Sequence, residues 1–488
     1  MSLDLALQPA SDLALRLRRR ELSSVELLQH HLQRIERLNP ALNAVVVLDA
    51  ERAMVRAREA DAALARGELW GPLHGLPMTV KESFDVAGLP TTWGFEAQRH
   101  NIAARPAVAV QRLQAAGAVI FGKTNVPVAL ADWQSFNPVY GTTNNPWDLT
   151  RTCGGSSGGS AAALAAGLTA LELGTDIGAS IRNPAHYCGV WGHKPTWGVV
   201  SMAGHQLPGD ECPDAIDIAA AGPLARSAHD LSLALDVLTT PLHCFGPLGW
   251  QPAAWRDAGV PAQRLRVAVI ADDEMAEVDV SVREQLQALV AFLRASGVTV
   301  GEQQRPVDSR EAWTSYVPLV RAALIAHASD AEHEQAVAEA AQWPADSLEF
   351  AALHWRGRSL SHRDWLRLDE VRSRLRRQWA AFFEQWDLLV CPVATTPAFH
   401  HNQQGWRWER LIPVNGGMQP TTTSMFWAGY TNLCGLPATA VPLGLSKDGL
   451  PIGAQIVGPV FADPVCLRFA RWLEQEYRAF QAPPLARD

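Results

Sequence analysis

Residues 153–185, CGGSSGGSAAALAAGLTALELGTDIGASIRNPA, hold two glycine-flanked serines, Ser156 and Ser180. A serine hydroxyl becomes a useful nucleophile only when a neighbouring group takes its proton. The run Asp176-Ile177-Gly178-Ala179-Ser180 suits a turn that aims several backbone N–H groups at one point, which is how an oxyanion hole is built. Two other chemistries fit poorly. Gly154-Gly155-Ser156-Ser157-Gly158 matches the G-x-S-x-G elbow, but that turn needs a buried strand before it, and residues 145–152 (NPWDLTRT) read as a polar loop. No Gly-Lys-Ser or Gly-Lys-Thr follows the glycines, as a phosphate-cradling loop requires. A Gly/Ser-rich loop making tight turns is the alternative with no chemistry in it.

The elements around the serines must position them. Residues 161–169 (AAALAAGLT) carry small and apolar side chains on every face, the pattern of a helix buried all round. Residues 170–174 then read as a strand delivering Thr175–Ser180 at its end. Upstream, Ser23-x-x-Glu26 is a capping-box pattern; Val25, Leu28, Leu32 and Ile35 recur at helical spacing, and Pro40 is expected just past the helix end. Residues 43–48, 76–80 and 118–121 read as strands, the second placing Lys81 at its end, and 107–117 as a helix. Further on, strands at 264–271 and 298–300 enclose an amphipathic helix through Val282, Leu286, Leu289 and Leu293, ended by Gly297. Residues 310–386 are mostly helical. There Leu368, Val371, Leu375 and Trp379 oppose Arg367, Arg374 and Arg377, a solvated basic face on a core helix. Residues 387–390 form a strand, and 432–458 form two around a Lys447-Asp448-Gly449 turn. Strands alternating with helices predict an α/β class with a large mixed sheet. With no repeat or linker, one domain spans 1–488, with a mostly helical variable insertion at about 240–390.

Composition narrows the class. A chain of 488 residues with 48% hydrophobic and 19% charged residues has an ample core. A net charge of −8 provides no global field favouring nucleic acid. The 7 cysteines show no C-x-x-C spacing and read as buried free thiols in a reducing cytoplasm. The N-terminus has its charges after its apolar residues, unlike a secretory signal, and no uncharged apolar run reaches the roughly 18 residues of a membrane span. The 15 histidines show no H-E-x-x-H spacing, so no metal site is expected.

GGSSGGSAAALAAG followed by GTDIGASIRNPA resembles the amidase signature family, whose members use a Ser–cis-Ser–Lys triad. Lys81, in GLPMTVKE (75–82), stands 75 residues before Ser156, and Ser180 stands 24 after it; both separations match the family's pattern. Residues 122–147, 192–201, 222–227 and 432–458 resemble further blocks, the first in the wording of the fatty acid amide hydrolase-like and bacterial amidase branch. The resemblance implies a single-domain mixed α/β fold, its central sheet flanked by helices on both sides, and hydrolysis of a carboxamide through an acyl-enzyme. Ser180 matches the nucleophile, Ser156 the bridging serine after a cis peptide bond, and Lys81 the general base. An exposed lysine is protonated at neutral pH, so this base must be buried. The implied oxyanion donors are the N–H groups of Ile177, Gly178, Ala179 and Ser180. Ala179 replaces the usual glycine, and a positive φ there would be strained. Glu82 stands where many members have Asp. Asp176 and Arg182 match residues that hold the loop, Lys123 reads as scaffold, and Leu130 matches a pocket-wall position with Trp133 three residues on.

Of the 18 tryptophans, Trp406, Trp408 and Trp427 lie close together in sequence; such residues line an apolar acyl pocket or fill the core. The resemblance implies a small-molecule apolar or aryl amide as substrate. Esters, anilides and carbamates (urethanes) are open to the same attack. It implies no cofactor, no nucleic-acid partner, and a monomer or homodimer. One alternative is the glutaminase component of a tRNA-dependent amidotransferase, which shares the triad but usually has a Gly-Gly-Ser nucleophile loop and differs from residues 201–223. A non-catalytic binding member of the family is the other.

Overall fold

The capping box at Ser23 forms, with the Ser23 hydroxyl accepting from the Glu26 N–H and the Glu26 carboxylate accepting from the Ser23 N–H. The helix it opens, Ser24–Leu42, buries Leu28, Ile35 and Leu42. It continues past Pro40, which falls in the last turn and costs the ladder the one bond its N–H would have made to the Glu36 carbonyl. Asn39 explains the extension. Its side chain accepts from the N–H groups of Ala44 and Val45 and donates to the Val45 carbonyl, tying the helix end to the first strand.

The computed structural model describes residues 4–207, 215–239 and 259–487. Cys212, Cys244 and the start of the 240–390 segment lie outside the described residues, as do 208–214 of the 201–223 segment. The strands that build the two main sheets are β1 (Val45–Leu48), β2 (Pro77–Lys81), β3 (Val119–Thr124), β4 (Glu172–Asp176), β5 (Trp191–Lys194), β6 (Ala220–Ala225), β7 (Arg266–Val269), β8 (Thr299–Glu302), β9 (Leu388–Pro392), β10 (Ala438–Leu445) and β11 (Pro451–Val457). β3 lies between β1 and β2, antiparallel to the first and parallel to the second. The others form an eight-stranded mixed sheet in the order β8-β7-β9-β11-β10-β5-β6-β4. In it β7 is parallel to both neighbours and the remaining pairings are antiparallel. Helices flank this sheet, which makes the α/β expectation correct.

Within the 240–390 segment, β7 and β8 extend the edge of the central sheet. The helical block proper is Ser309–Ala322, Asp330–Ala341, Phe350–Arg358 and His362–Gln385. The last helix buries Leu375 and Trp379, while Arg367 pairs with Asp364 and Arg374 with Glu311. Residues Asp148–Thr152, read from sequence as loop, pair with Asn144–Asn145 in a short hairpin. That hairpin belongs to neither main sheet, so it does not supply the core strand an elbow needs.

The helix buried on all sides is Gly158–Ala165, and every residue of it is buried. It begins three residues earlier than the pattern suggested because glycines let its first turn press on neighbouring chain. A β-carbon at Gly159 would strike the Asn125 backbone nitrogen. The following strand, β4, runs beside β2 at the junction of the two sheets. There the buried Glu172 carboxyl accepts from the Thr79 and Thr124 hydroxyls, and Thr169 Oγ1 accepts from the Thr79 N–H at 3.0 Å. Burial lifts the Glu172 pKa to about 8 against those hydrogen bonds, so it is mostly a neutral acid at pH 7. The five described cysteines are buried and free. Among the described residues no helix is long and apolar enough to cross a membrane.

Candidate active site

The junction of β2 and β4 sets the site. Lys81 ends β2, Thr175 and Asp176 end β4, and Lys81 Nζ lies 2.6 Å from Ser156 Oγ and 2.8 Å from Thr175 Oγ1. Lys81 is fully buried. Burial brings its pKa down to about 7, the charge of Asp176 opposing this only in part. A large fraction is therefore neutral amine at neutral pH, able to accept a proton from Ser156. The Gly155–Ser156 peptide bond is cis. Gly155 is required by proximity, since a β-carbon there would meet the Asp132 carbonyl oxygen. The Ser157 N–H donates to the Ser180 carbonyl at 3.0 Å, lacing the two serine loops together. Ser156 and Ser180 open into one cavity. No hydrogen bond joins their hydroxyls, and contacts of this kind tighten when substrate binds.

The turn after β4 is held by its carbonyls. Tyr316 Oη donates to the Ile177 carbonyl at 2.9 Å and Trp133 Nε1 to the Gly178 carbonyl at 2.7 Å. In a trans peptide the N–H points away from its carbonyl, so the Tyr316 bond turns the Gly178 N–H to the opposite side. The Ala179 N–H donates to Asp176 Oδ1 at 2.9 Å and is used inside the loop. Among the described residues no partner takes the N–H groups of Ile177, Gly178 or Ser180. Of the four donors expected from sequence, three are thus available to an oxyanion, and Ala179 is committed to Asp176. Ala179 lies at φ +64°, the left-handed conformation expected to strain it.

Asp176 and Arg182 form a bidentate pair with neither side chain exposed to solvent. Burial alone would raise the Asp176 carboxyl, but the Arg182 charge and the Arg182 and Asn432 hydrogen bonds hold it well below the usual carboxylate range. Arg182 also reaches Thr431, Asn432 and Gln455, so the loop is braced against β11 and the helix Met425–Asn432. Glu82 accepts from the N–H groups of Thr92 and Trp93. Lys123 donates to the Pro90 carbonyl and to Thr91 Oγ1, away from the serines. Among the described residues no group of three His, Cys, Asp or Glu is placed to hold a metal ion.

A sequence model of the family described as Amidase matches residues 26–467. The chain belongs to the amidase signature family. It is an enzyme acting on amide C–N bonds, as the family does. It is 32% identical to an indoleacetamide hydrolase of Bradyrhizobium diazoefficiens, over 95% of this chain and 86% of that one. It is 33% identical to a glutamyl-tRNA(Gln) amidotransferase subunit from Acidothermus cellulolyticus, over 97% and 95%. A crystal structure of an amidase, 30% identical, superposes with a TM-score of 0.77 over 96% of this chain and 100% of that one.

In this amidase the cavity wall is largely apolar, with Trp93, Leu130, Trp133, Met202, Val320 and Met425 among its residues. Leu130, at φ +56°, is half-buried on that wall. The tryptophans singled out by sequence clustering lie elsewhere. Trp427 is in the core, and Trp406 and Trp408 stack with ring centroids 4.8 Å apart, away from the serines. The sequence reading missed Thr175 and Tyr316. It also missed His205, whose Nε2 lies 2.9 Å from Ser83 Oγ and 3.3 Å from Thr175 Oγ1. No local spacing rule connects these residues to the serines, so only the fold reveals them.

Proposed function

We propose that this amidase hydrolyses a small carboxamide through an acyl-enzyme on Ser180, with Ser156 as proton bridge and Lys81 as general base. The observation that carries the reading is the buried Lys81 amine, its pKa near 7, 2.6 Å from Ser156 Oγ at the cavity containing Ser180. Neutral Lys81 takes the Ser156 proton as Ser156 takes that of Ser180, and Ser180 Oγ attacks the carbonyl carbon. The N–H groups of Ile177, Gly178 and Ser180 receive the developing oxyanion. The relay then runs backward, protonating the nitrogen as the C–N bond breaks. Water repeats the attack on the ester, releasing the acid and restoring Ser180.

The apolar wall supports an alkyl or aryl group next to the scissile carbonyl, and the same attack extends to esters, anilides and carbamates. Cysteine usage supports a cytoplasmic setting, the eight-stranded sheet, with strands from Glu172 to Val457, supports one catalytic domain, and the family resemblance supports a monomer or homodimer. Intact mass and peptide mapping after treatment with a fluorophosphonate test the reading. A single adduct on Ser180, lost in Ser180→Ala together with turnover of an acyl anilide, is the expected result. An adduct on Ser156 reverses the two serine roles, and retained turnover in Ser180→Ala overturns the mechanism. Glutamine hydrolysis that appears only on addition of a second protein favours the glutaminase reading instead.

A further inference from the structure

Four charged side chains line the catalytic cavity: Asp132, Asp176, Arg321 and Arg407. The two carboxylates are already matched by arginines, Asp132 by Arg410 and Asp176 by Arg182. Among the described residues neither arginine forms a salt bridge of its own, although Arg407 feels the Asp132 charge at longer range. Arg321 is only 7% exposed. Among the described residues its guanidinium meets no carboxylate and makes no hydrogen bond, and its Nε is wholly shielded. Its one assigned contact is with the Phe350 ring, 5.5 Å from guanidinium carbon to ring centroid. Arg407 lies 5.1 Å from the same ring and donates from Nη1 to the Ala131 carbonyl at 2.8 Å. Two guanidinium groups therefore approach one aromatic ring on one cavity wall; the nearby carboxylate whose charge Arg407 feels, Asp132, is already engaged by Arg410, and Arg321 has none.

Such an arrangement is costly. Burial, and then the charge of Arg407, push the Arg321 pKa well down. Yet a guanidinium keeps its proton across the working pH range, so deprotonation offers little relief. An anion offers more, because a planar carboxylate matches the guanidinium fork with two charge-assisted hydrogen bonds. The helix Ser309–Ala322 fixes the distance from the chemistry. Tyr316, on that helix, bonds to the Ile177 carbonyl, and Arg321 follows five residues later, about 7.5 Å along the axis.

We infer that Arg321 and Arg407 form an anion subsite, so that the substrate is an amide carrying a carboxylate a few bonds from the scissile carbonyl. This rests on the acyl-enzyme reading above and names its substrate class. The apolar wall takes the intervening alkyl or aryl part, and the arginine pair takes the acid.

The test compares matched substrates on the wild-type enzyme. One pair is glutaric acid monoanilide against its methyl ester, with the carboxylate on the acyl side. The other is 4-butyramidobenzoate against butyranilide, with the carboxylate on the amine side. In one pair the acid is expected to have at least about tenfold higher kcat/KM, mainly through KM. Arg321→Met is expected to remove that preference by raising KM for the acid. Glutarate alone should also slow fluorophosphonate labelling of Ser180 in the wild type, less so at high salt, which keeps the inference testable if the variant does not fold. Equal or better turnover of both neutral partners, with no protection by glutarate, overturns the subsite while leaving the amidase reading intact. Absence of both turnover and a Ser180 adduct overturns the catalytic reading and the subsite with it.

Discussion

A methyl group sits where the backbone favours none. Ala179 has φ +64°, a conformation that costs an L-residue about 1–2 kcal/mol relative to glycine. Glycine loses part of that gain to its greater freedom when unfolded. Ala179→Gly is therefore expected to stabilise the protein by roughly 0.5–1 kcal/mol, read as a higher urea midpoint at unchanged slope; a lower midpoint refutes the strain. Lys81 allows a sharper prediction. Its pKa is lowered to about 7 in the folded protein, so kcat/KM should rise with pH to a plateau above that value. Stability follows the same proton. Between about pH 7 and 10.5 the unfolded chain holds a proton on Lys81 that the folded one does not. Raising pH across this window should stabilise the wild type relative to Lys81→Met by about 1.4 kcal/mol per pH unit. Urea titrations of both proteins at pH 7.5 and 9.5 check it, and a constant difference means that Lys81 stays charged. At this scale the proposed triad residues could be named from sequence because their order and their separations of 75 and 24 residues match the amidase signature pattern. Thr175 and Arg321 could not, because their neighbours come from strands and helices far away in sequence.

The loop that carries Ser180 is shaped by elements that do not contain it. Trp133 and Tyr316 reach the Gly178 and Ile177 carbonyls from segments on either side of the loop in sequence, and together they fix which way the intervening N–H groups face. These are positioning residues. Trp133→Phe removes one hydrogen bond but keeps most of the ring. It is expected to lower kcat by about 10- to 100-fold while KM changes less than about threefold, because a loosened Gly178–Ala179 peptide disturbs the adjoining Gly178 and Ser180 N–H groups, whose alignment matters most when charge develops on oxygen. A rise in KM at constant kcat would instead make Trp133 simply a wall of the substrate pocket. Element type was legible wherever periodicity was strong, as in the capped helix Ser24–Leu42, while its ends were decided elsewhere. Asn39 drew that helix past Pro40. The glycines at 158 and 159 moved the buried helix forward against Asn125 and Ser135.

Across the whole molecule, the candidate site depends on where the two sheets meet. Thr79 and Lys81 on β2 face Glu172 and Thr175 on β4, so the hydroxyls that satisfy Glu172 also bring the Lys81 amine to Thr175 and Ser156. Sequence pattern identified both strands, but only the three-dimensional junction shows why a glutamate belongs between them. It is buried, its pKa is raised to about 8, and it acts as a neutral acid among hydroxyl groups. The sign of its pH dependence is opposite to that of Lys81. Between about pH 4.5 and 8 the folded chain holds a proton on Glu172 that the unfolded chain has lost. The wild type should therefore lose stability relative to Glu172→Gln by about 1.4 kcal/mol per pH unit as pH rises through that window. Glutamine keeps the shape and a carbonyl acceptor and has nothing to ionise, so its own stability should lack this slope. Denaturation of both proteins at pH 5 and 7.5 separates the cases. A difference that grows with pH places a neutral acid at the junction. A difference that stays level means that the carboxylate is charged there, and that the two sheets are joined by charge-assisted hydrogen bonds from Thr79 and Thr124.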